Sequence, residues 1–144
     1  MIYLLYGQPA SGKTTLGKLL AEHLETQFVI DGDEFRGMFK NTDFGFGGRK
    51  KNIRAANAVA TYLNKKIKKA HIIMCLVNPY EQFRKELKED NKGEVIQILL
   101  ESDRELRKQY HVEGFEDGNP DCVVNTDSTI EKTWQELKMV LDIN

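Results

Sequence analysis

The sequence predicts a single α/β domain of 144 residues, with a five-stranded, mainly parallel sheet that carries helices on both faces. Three observations lead to this fold class. Apolar runs of strand length alternate with segments of helical periodicity along the whole chain. A glycine-rich phosphate-binding pattern lies between the first predicted strand and the first predicted helix. The length suits one hydrophobic core, and no linker, repeat or low-complexity segment divides the chain.

Short runs of apolar, β-branched or aromatic residues predict the strands. They lie at residues 1–6, 27–30, 71–77, 94–100 and 122–124. Helical spacing of apolar residues predicts the intervening and final segments. These helices lie at residues 14–25, from about 34 to 39, and at 49–69, 81–90, 102–110 and 128–141. Strands separated by helices imply right-handed crossovers, and parallel pairing follows from such connections.

The first loop, Gly7-Gln8-Pro9-Ala10-Ser11-Gly12-Lys13-Thr14, fits the pattern G-x-x-x-x-G-K-[ST]. Such a loop exposes backbone N–H groups at a helix N-terminus, where they bind phosphate oxygens. Lys13 supplies a cation to the phosphates, and the Thr14 hydroxyl is the expected magnesium ligand. The predicted nucleotide-contacting residues are Gly7, Ala10, Ser11, Gly12, Lys13, Thr14 and Thr15. We therefore expect a phosphate-handling enzyme.

Two acidic residues, Asp31 and Asp33, directly follow the second predicted strand. In open α/β sheets, ligands bind at this carboxyl edge of the strands. The third strand ends instead in Asn78-Pro79-Tyr80, without the acid from which motor ATPases and GTPases usually organise magnesium. Asp31 or Asp33 is therefore expected to take that role. A simpler alternative for Asp33 is to cap the helix that begins near residue 34.

The bulk composition limits the classes of partner and compartment. The formal net charge is −1, so no overall basic field favours nucleic acid or an anionic membrane. Cys75 and Cys122 lie in apolar runs and are expected to be buried thiols without a disulfide framework. No signal peptide and no membrane span are recognised. We expect a cytoplasmic protein.

Four motifs, in this order, resemble those of the adenylylsulfate (APS) kinase family. They are the phosphate loop with Thr15-Leu16, Asp31-Gly32-Asp33-Glu34-Phe35-Arg36, Phe44-Gly45-Phe46 followed by Arg49-Lys50-Lys51-Asn52-Ile53-Arg54, and Asn78-Pro79-Tyr80 with Arg84. The resemblance implies a single-domain P-loop kinase fold that uses ATP and Mg²⁺. It also implies transfer of the ATP γ-phosphate to the 3'-hydroxyl of adenosine 5'-phosphosulfate (APS), which yields PAPS in sulfate activation.

The resemblance further implies roles for individual residues. Asp33 orients or deprotonates the acceptor hydroxyl, Lys13 stabilises the developing charge, and Asp31 organises magnesium with Thr14. The implied acceptor-binding residues are Asp33, Arg36, Phe46, Arg49, Asn52 and Phe115. Phe46 is expected to stack on the acceptor adenine. Two alternatives stay open from the residues alone, since the arginines could be surface charges and Phe44 and Phe46 could be core side chains.

The resemblance weakens after residue 100, where a shortened lid is expected at about residues 102–120. Arg104 and Arg107 are the expected lid contacts to ATP, and Phe115 is the expected lid phenylalanine. A small nucleotide substrate, APS or a related molecule, is the expected partner. Neither nucleic acid nor a membrane is expected, and a homodimer is a possible assembly.

Two other functions remain open at this point. The same fold could phosphorylate a hydroxyl of another nucleotide-linked small molecule or a polynucleotide 5'-hydroxyl, since the Asp33 and Arg36 pair is similar to one in polynucleotide kinases. A non-catalytic nucleotide-binding regulator is the third hypothesis. The sequence has no N-K-x-D guanine motif and no acid at the end of the third strand, and both absences argue against a switch protein.

Overall fold

The computed structural model describes residues 1–103 and 110–144. Its strands are β1 (Ile2–Gly7), β2 (Val29–Asp31), β3 (Ile72–Leu76), β4 (Val95–Glu101) and β5 (Cys122–Asn125). The helices within these ranges are α1 (Lys13–His23), α2 (Gly32–Met38), α3 (Phe46–Lys66), α4 (Glu81–Asp90) and α5 (Ile130–Val140). The predicted α/β alternation is thereby confirmed.

The five strands form one sheet in the order β2-β3-β1-β4-β5. All four pairings are parallel, and Leu4 of β1 lies between Met74 of β3 and Gln97 of β4. Strand β1 is therefore central, and every one of its residues is buried. Because the strands are parallel, their carboxyl ends and the loops that follow meet at one edge of the sheet.

Alternate residues of β1 point to opposite faces of the sheet and enter two separate cores. Ile2, Leu4 and Tyr6 belong to the core that includes residues of α3 and α4. Tyr3 and Leu5 belong to the core that includes residues of α1 and α5. Helices thus cover both faces, as the predicted fold class requires, and they hold the central strand between two apolar layers.

Several element boundaries differ from the sequence prediction. Helix α2 begins at Gly32 and not near residue 34, because the Asp31 carboxylate accepts from the N–H groups of Asp33 and Glu34 and so caps the helix two residues earlier. Helix α3 begins at Phe46 and ends at Lys66. Strand β2 is displaced toward the carboxyl side and ends at Asp31. Residues 104–109 of the predicted helix at 102–110 lie outside the described residues.

None of the helices in the described residues is long and apolar enough to cross a membrane.

Helix α1 lies unusually close to β3 at Gly17. A β-carbon at this position would overlap the Sγ atom of Cys75, whose residue is 3% exposed. The thiol of Cys75 is therefore buried as predicted, whereas Cys122 is only partly buried, and both cysteines are free. Glycine at position 17 is needed for this close approach, despite its low helix propensity.

We predict that Gly17→Ala destabilises the fold by about 1–3 kcal/mol, because the methyl group overpacks the contact with Cys75. Urea denaturation measures the free energy of unfolding. Gly37→Ala in α2 is the matched control, since no atom lies within 4 Å of the β-carbon position there. The better helix propensity of alanine should make the control neutral or slightly stabilising. Equal stability of the two variants would contradict the proposed overlap.

Candidate active site

The loop between β1 and α1 has the backbone shape of a phosphate-binding loop. Gly12 is the N-cap of α1 and has φ 91°, and Ala10 has φ 61°. These left-handed conformations turn successive backbone N–H groups toward the same side of the loop. The first N–H groups of a helix have no intrahelical acceptor. The start of α1, with Lys13, Thr14 and Thr15, therefore presents donors suited to an anion, as the sequence predicts.

The Lys13 ammonium group lies inside this loop. Its Nζ atom donates to the carbonyl oxygens of Gly7 at 3.2 Å and Gln8 at 2.8 Å, and to Ser11 Oγ at 3.1 Å. Lys13 is only 9% exposed. The loop thus holds a cation where phosphate oxygens can replace neutral carbonyl oxygens as its acceptors.

Asp31 links the phosphate loop to helix α2. Its Oδ2 atom accepts a hydrogen bond from Thr14 Oγ1 at 2.5 Å, and its Oδ1 atom accepts from the N–H groups of Asp33 and Glu34, both at 3.1 Å. Asp31, and not Asp33, is therefore the N-cap residue of α2. The described residues show no hydrogen bond to the Asp33 carboxylate, which lines the adjacent cavity.

Arg36 and Arg49 build the loop that precedes α3. Arg36 Nη1 donates to the carbonyl oxygen of Asp43 at 2.7 Å and to Asn41 Oδ1 at 3.2 Å, and its guanidinium carbon lies 4.4 Å from the centre of the Phe44 ring. Arg49 Nε donates to the carbonyl oxygen of Phe44 at 2.8 Å. Neither arginine forms an ion pair with another described residue.

Burial lowers the pKa of Arg36, and the like charge of Arg49 lowers it further, while Asp33 and Asp43 act in the opposite direction. The effect of Arg49 on the pKa of Arg36 indicates that the two guanidinium groups lie in one region of the site, and both residues line the same cavity. An anion placed between them would relieve their mutual repulsion. The pair therefore favours phosphate or sulfate groups, whose oxygens match the forked donors of arginine.

Asn52 of α3 faces the same region. Its Nδ2 atom donates to the carbonyl oxygen of Gly32 at 3.3 Å. Its Oδ1 atom is buried and has no hydrogen-bond partner among the described residues. An unpaired buried amide oxygen is unfavourable. It is therefore a ready acceptor for a hydroxyl or amino group of a bound ligand.

One cavity of about 520 Å³ contains most of the predicted site. It lies at the carboxyl edge of the sheet and joins the phosphate loop to the groups on α2 and α3. Residues of the site that line it are Ala10, Lys13, Asp31, Asp33, Arg36, Arg49 and Asn52. The donor side and the acceptor side that the sequence predicts are thus brought together.

The structure places both predicted aromatic contacts outside this cavity. Phe46 packs edge-on against Tyr80, with ring centres 5.0 Å apart, and Phe115 lies parallel to Tyr6 at 6.2 Å against the core. The aromatic residues that line the cavity are Phe44, Tyr110 and His111. Phe44 could have been considered from the Phe-Gly-Phe motif, whereas no sequence signal marks Tyr110 or His111. Arg104 and Arg107, the predicted lid contacts, lie outside the described residues.

The oxygen atoms of Thr14 and Asp31 are suited to magnesium. The described residues contain no group of three or more His, Cys, Asp or Glu side chains that could hold a metal ion alone. Magnesium commonly binds through one or two protein oxygens, and phosphates and water supply the others. The pair therefore fits an ion that arrives with a nucleotide better than a resident metal.

Comparison with known proteins agrees with this geometry. The family model for adenylylsulphate kinase matches residues 1–135. The chain is similar to the APS kinase CysC of Mycobacterium tuberculosis in complex with AMPPNP and APS, at 19% identity and a TM-score of 0.78, over 98% of this chain and 96% of that one. It is also similar to a hexameric APS kinase from Thiobacillus denitrificans, at 22% identity and a TM-score of 0.72, over 98% of this chain and 28% of that chain. At these identities the structural likeness shows a common fold.

Two further similarities are to kinases of other substrates. A shikimate kinase from Aquifex aeolicus has 18% identity and a TM-score of 0.70, over 99% of this chain and 96% of that chain. A cytidylate kinase from Methanococcoides burtonii is 50% identical over 40 residues, which are 28% of this chain and 23% of that protein. The chain therefore matches less than a quarter of the length of this curated relative.

The buried cysteine at the cavity gives a test of the site's geometry. Burial raises the pKa of the Cys75 thiol to about 12, and the negative charge of Asp31 adds to this effect. Because a raised pKa keeps the thiol protonated, and the thiolate is the nucleophile, native Cys75 should be almost inert at pH 8.

We predict that iodoacetamide alkylates Cys75 at least about a hundredfold more slowly in the native protein than in urea, because burial keeps the thiol protonated and shields it from the reagent. A Cys122→Ser variant isolates Cys75 for mass spectrometry. The matched Cys75→Ser variant reports Cys122, whose pKa is raised to about 11 by burial. Similar native and denatured rates for Cys75 would contradict the described packing.

Proposed function

Because the chain belongs to the adenylylsulphate kinase family, we propose that it transfers the γ-phosphate of ATP to the 3'-hydroxyl of APS and so forms PAPS. The family and the fold make the chain a phosphotransferase that acts on a hydroxyl group. The APS acceptor is the proposed part. The observation that supports it best is the single cavity in which the phosphate loop, Asp33 and the two arginines meet.

The donor half of the site is the phosphate loop. The backbone N–H groups at the start of α1 bind phosphate oxygens of ATP, and the Lys13 ammonium group exchanges its carbonyl acceptors for the β- and γ-phosphate oxygens. This cation then stabilises the charge that develops on the transferred group. Gly12 allows the close approach, because its φ of 91° is unfavourable for other residues.

Thr14 and Asp31 are the residues that would hold Mg²⁺ when the nucleotide binds, since their oxygen atoms already lie within 2.5 Å of each other. When bound, the ion would neutralise phosphate charge and orient the β- and γ-phosphates. Asp31 keeps its second oxygen on the N-terminus of α2. The metal-binding pair and the helix that carries the acceptor groups are therefore fixed relative to each other.

Asp33 is the proposed base. The oxygen of the acceptor hydroxyl forms a bond to the γ-phosphorus, the bond from that phosphorus to the bridging β–γ oxygen breaks, and ADP leaves. The hydroxyl proton passes to the Asp33 carboxylate. Since Asp31 already caps α2, the Asp33 side chain is not needed for that purpose. Its position in the cavity therefore supports a direct role at the acceptor.

The acceptor half suits a ligand with two anionic groups. APS carries a 5'-phosphate joined to a sulfate, and Arg36 and Arg49 provide two guanidinium groups beside each other. The buried Oδ1 atom of Asn52 offers an acceptor for a ligand N–H or O–H group. These three residues thus provide charge and hydrogen bonding that a neutral sugar, or shikimate with its single carboxylate, would use less fully.

The proposed role places the protein in sulfate assimilation, in the cytoplasm, with ATP and Mg²⁺. A small nucleotide is its proposed partner. A homodimer, and the absence of nucleic acid and membrane partners, stay predictions from the sequence.

A second candidate keeps the phosphoryl transfer and changes the acceptor. Phe46 and Phe115, the aromatic residues that the family resemblance assigns to the acceptor, both lie outside the cavity. Different aromatic groups line it, so the acceptor base could differ from adenine. Another nucleotide-linked molecule with a free hydroxyl is therefore the alternative, and a polynucleotide 5'-hydroxyl is a further member of this class.

We predict that purified protein with ATP, magnesium and APS forms PAPS and ADP in equal amounts, as measured by anion-exchange chromatography. The same assay with other nucleotides, shikimate, gluconate and a 5'-hydroxyl oligonucleotide tests the alternative acceptors. Omission of the acceptor controls for ATP hydrolysis. Turnover of another compound without any PAPS would replace APS as the substrate and leave the kinase assignment intact.

We predict that Asp33→Asn lowers kcat by about 10²–10⁴-fold, the usual contribution of a general base, and leaves ATP affinity within about twofold of the unmodified protein. Calorimetric titration with an ATP analogue measures binding separately from turnover. Asp90→Asn at the exposed end of α4 is the matched control and should leave both unchanged. An unaltered kcat in Asp33→Asn would remove Asp33 from the reaction.

A further inference from the structure

Gln8, the second residue of the phosphate loop, directs its side chain away from the loop and toward a distant segment. Its Nε2 atom donates to the carbonyl oxygen of Val112 at 3.0 Å, and its Oε1 atom accepts from the N–H group of Val112 at 2.8 Å. One side-chain amide thus pairs with both polar backbone groups of one residue. Such a two-point contact fixes position and orientation together.

The backbone of Gln8 contacts the catalytic lysine. Its carbonyl oxygen accepts from Lys13 Nζ at 2.8 Å and from the N–H group of Ser11 at 3.2 Å. The same residue therefore touches the phosphate-binding cation through its main chain and Val112 through its side chain. No other hydrogen bond joins residues 110–112 to the phosphate loop in the part of the chain that the structure describes.

The segment after Val112 is held at its other end by the sheet edge. The N–H group of Glu116 donates to the carbonyl oxygen of Pro79 at 2.9 Å, and Tyr6 Oη donates to the carbonyl oxygen of Asp117 at 2.5 Å. Arg84 also donates to the carbonyl oxygen of Glu116. The two hydrogen bonds from Gln8 to Val112 thus hold the part of this segment that lies nearest the cavity.

Tyr110 and His111, the two residues before Val112, line the same cavity as Asp33 and Arg36. Tyr110 is 64% exposed, so the face of its ring is accessible to a bound ligand. Phe44, which is 63% exposed, is another aromatic residue on this lining. Flat apolar rings beside a cationic cavity suit a heteroaromatic base attached to anionic groups.

We propose that Gln8 is a positioning residue for the acceptor site. Its two hydrogen bonds to Val112 hold Tyr110 in the cavity wall, and the Tyr110 ring stacks on the nucleobase of the acceptor. This inference rests on the proposed kinase function and specifies part of its acceptor site. Gln8 acts through Val112 and Tyr110, and its own side chain does not contact the transferred phosphate.

The first test separates the acceptor from ATP. Gln8→Leu should raise the KM for APS about tenfold and keep the KM for ATP within about twofold, because only the side-chain contact to Val112 is lost. Gln8→Glu can still accept from the Val112 N–H group but cannot donate to the carbonyl oxygen, so its KM should be intermediate. Gln135→Leu on an exposed position of α5 is the matched control. An increase confined to the KM for ATP would overturn the proposal.

A double-mutant cycle tests whether Gln8 acts through Tyr110. Tyr110→Ala should also raise the KM for APS about tenfold, from the lost stacking. The double variant should be no worse than Tyr110→Ala alone, since the positioning contact has no function without the ring. Fully additive effects would show that the two residues act independently and would contradict the inference.

Hydrogen exchange provides a readout that needs no activity. The Val112 amide should exchange at least about tenfold faster in Gln8→Leu than in the unmodified protein, and Gln135→Leu should leave it unchanged. If the unmodified protein forms no PAPS, the proposed function fails while the exchange rates still decide the Gln8 contact. Equal exchange in Gln8→Leu and the unmodified protein would overturn the inference whatever the acceptor.

Discussion

The two-sided contact of the Asp31 carboxylate determines the arrangement of the whole site. One oxygen holds the Thr14 hydroxyl at 2.5 Å, and the other accepts from the first N–H groups of α2. The proposed acceptor-side residues Asp33 and Arg36 lie on α2, so the position of this helix decides where they would meet a bound nucleotide. A change at Asp31 would therefore affect the proposed magnesium pair and the proposed acceptor residues together, because one side chain contacts both Thr14 and the start of α2.

This contact is possible because of the parallel sheet. Strands β1 and β2 are separated by β3 in the sheet, yet all three end at the same edge. The loops after β1 and β2 consequently meet above β3, where Cys75 and Asn78 line the cavity floor. The close approach of α1 to β3 at Gly17 brings the start of that helix down to this edge. The packing of α1 on β3 thus helps to fix the start of α1 relative to the groups on α2.

The sequence predicted the site well where a motif determines the backbone conformation. It predicted less where the position of a side chain depends on contacts with distant segments. The phosphate loop and the alternation of strands and helices followed from local patterns. The grouping of Asp33, Arg36, Arg49 and Asn52 was implied by the family resemblance. The Asp31 carboxylate caps α2 through one oxygen and accepts from Thr14, a residue distant in sequence, through the other. Asp31 and Asp33 are both short acidic residues near the end of β2, so composition alone could not show which of them caps α2.

The positions of the aromatic side chains were also beyond what the sequence could predict. Phe44 and Phe46 are separated by one glycine, and only the family resemblance, not the residues themselves, favoured Phe46 for the ligand. Phe46, the first residue of α3, packs against Tyr80, whereas the Phe44 ring lies under the Arg36 guanidinium group. Phe115 is withdrawn onto Tyr6 by the hydrogen bonds that hold Glu116 and Asp117 to the sheet edge. These placements depend on contacts between distant segments.

The distribution of cations explains how a chain with a net charge of −1 can hold an anionic substrate. Arg84 is 1% exposed and donates to the carbonyl oxygens of Asn78 and Glu116, and burial lowers its pKa. Its charge therefore stabilises the sheet edge and is not available to a ligand. Lys13, Arg36 and Arg49 face the cavity instead. The proposed anion affinity would thus arise from the local field of these three groups and not from the charge of the whole protein.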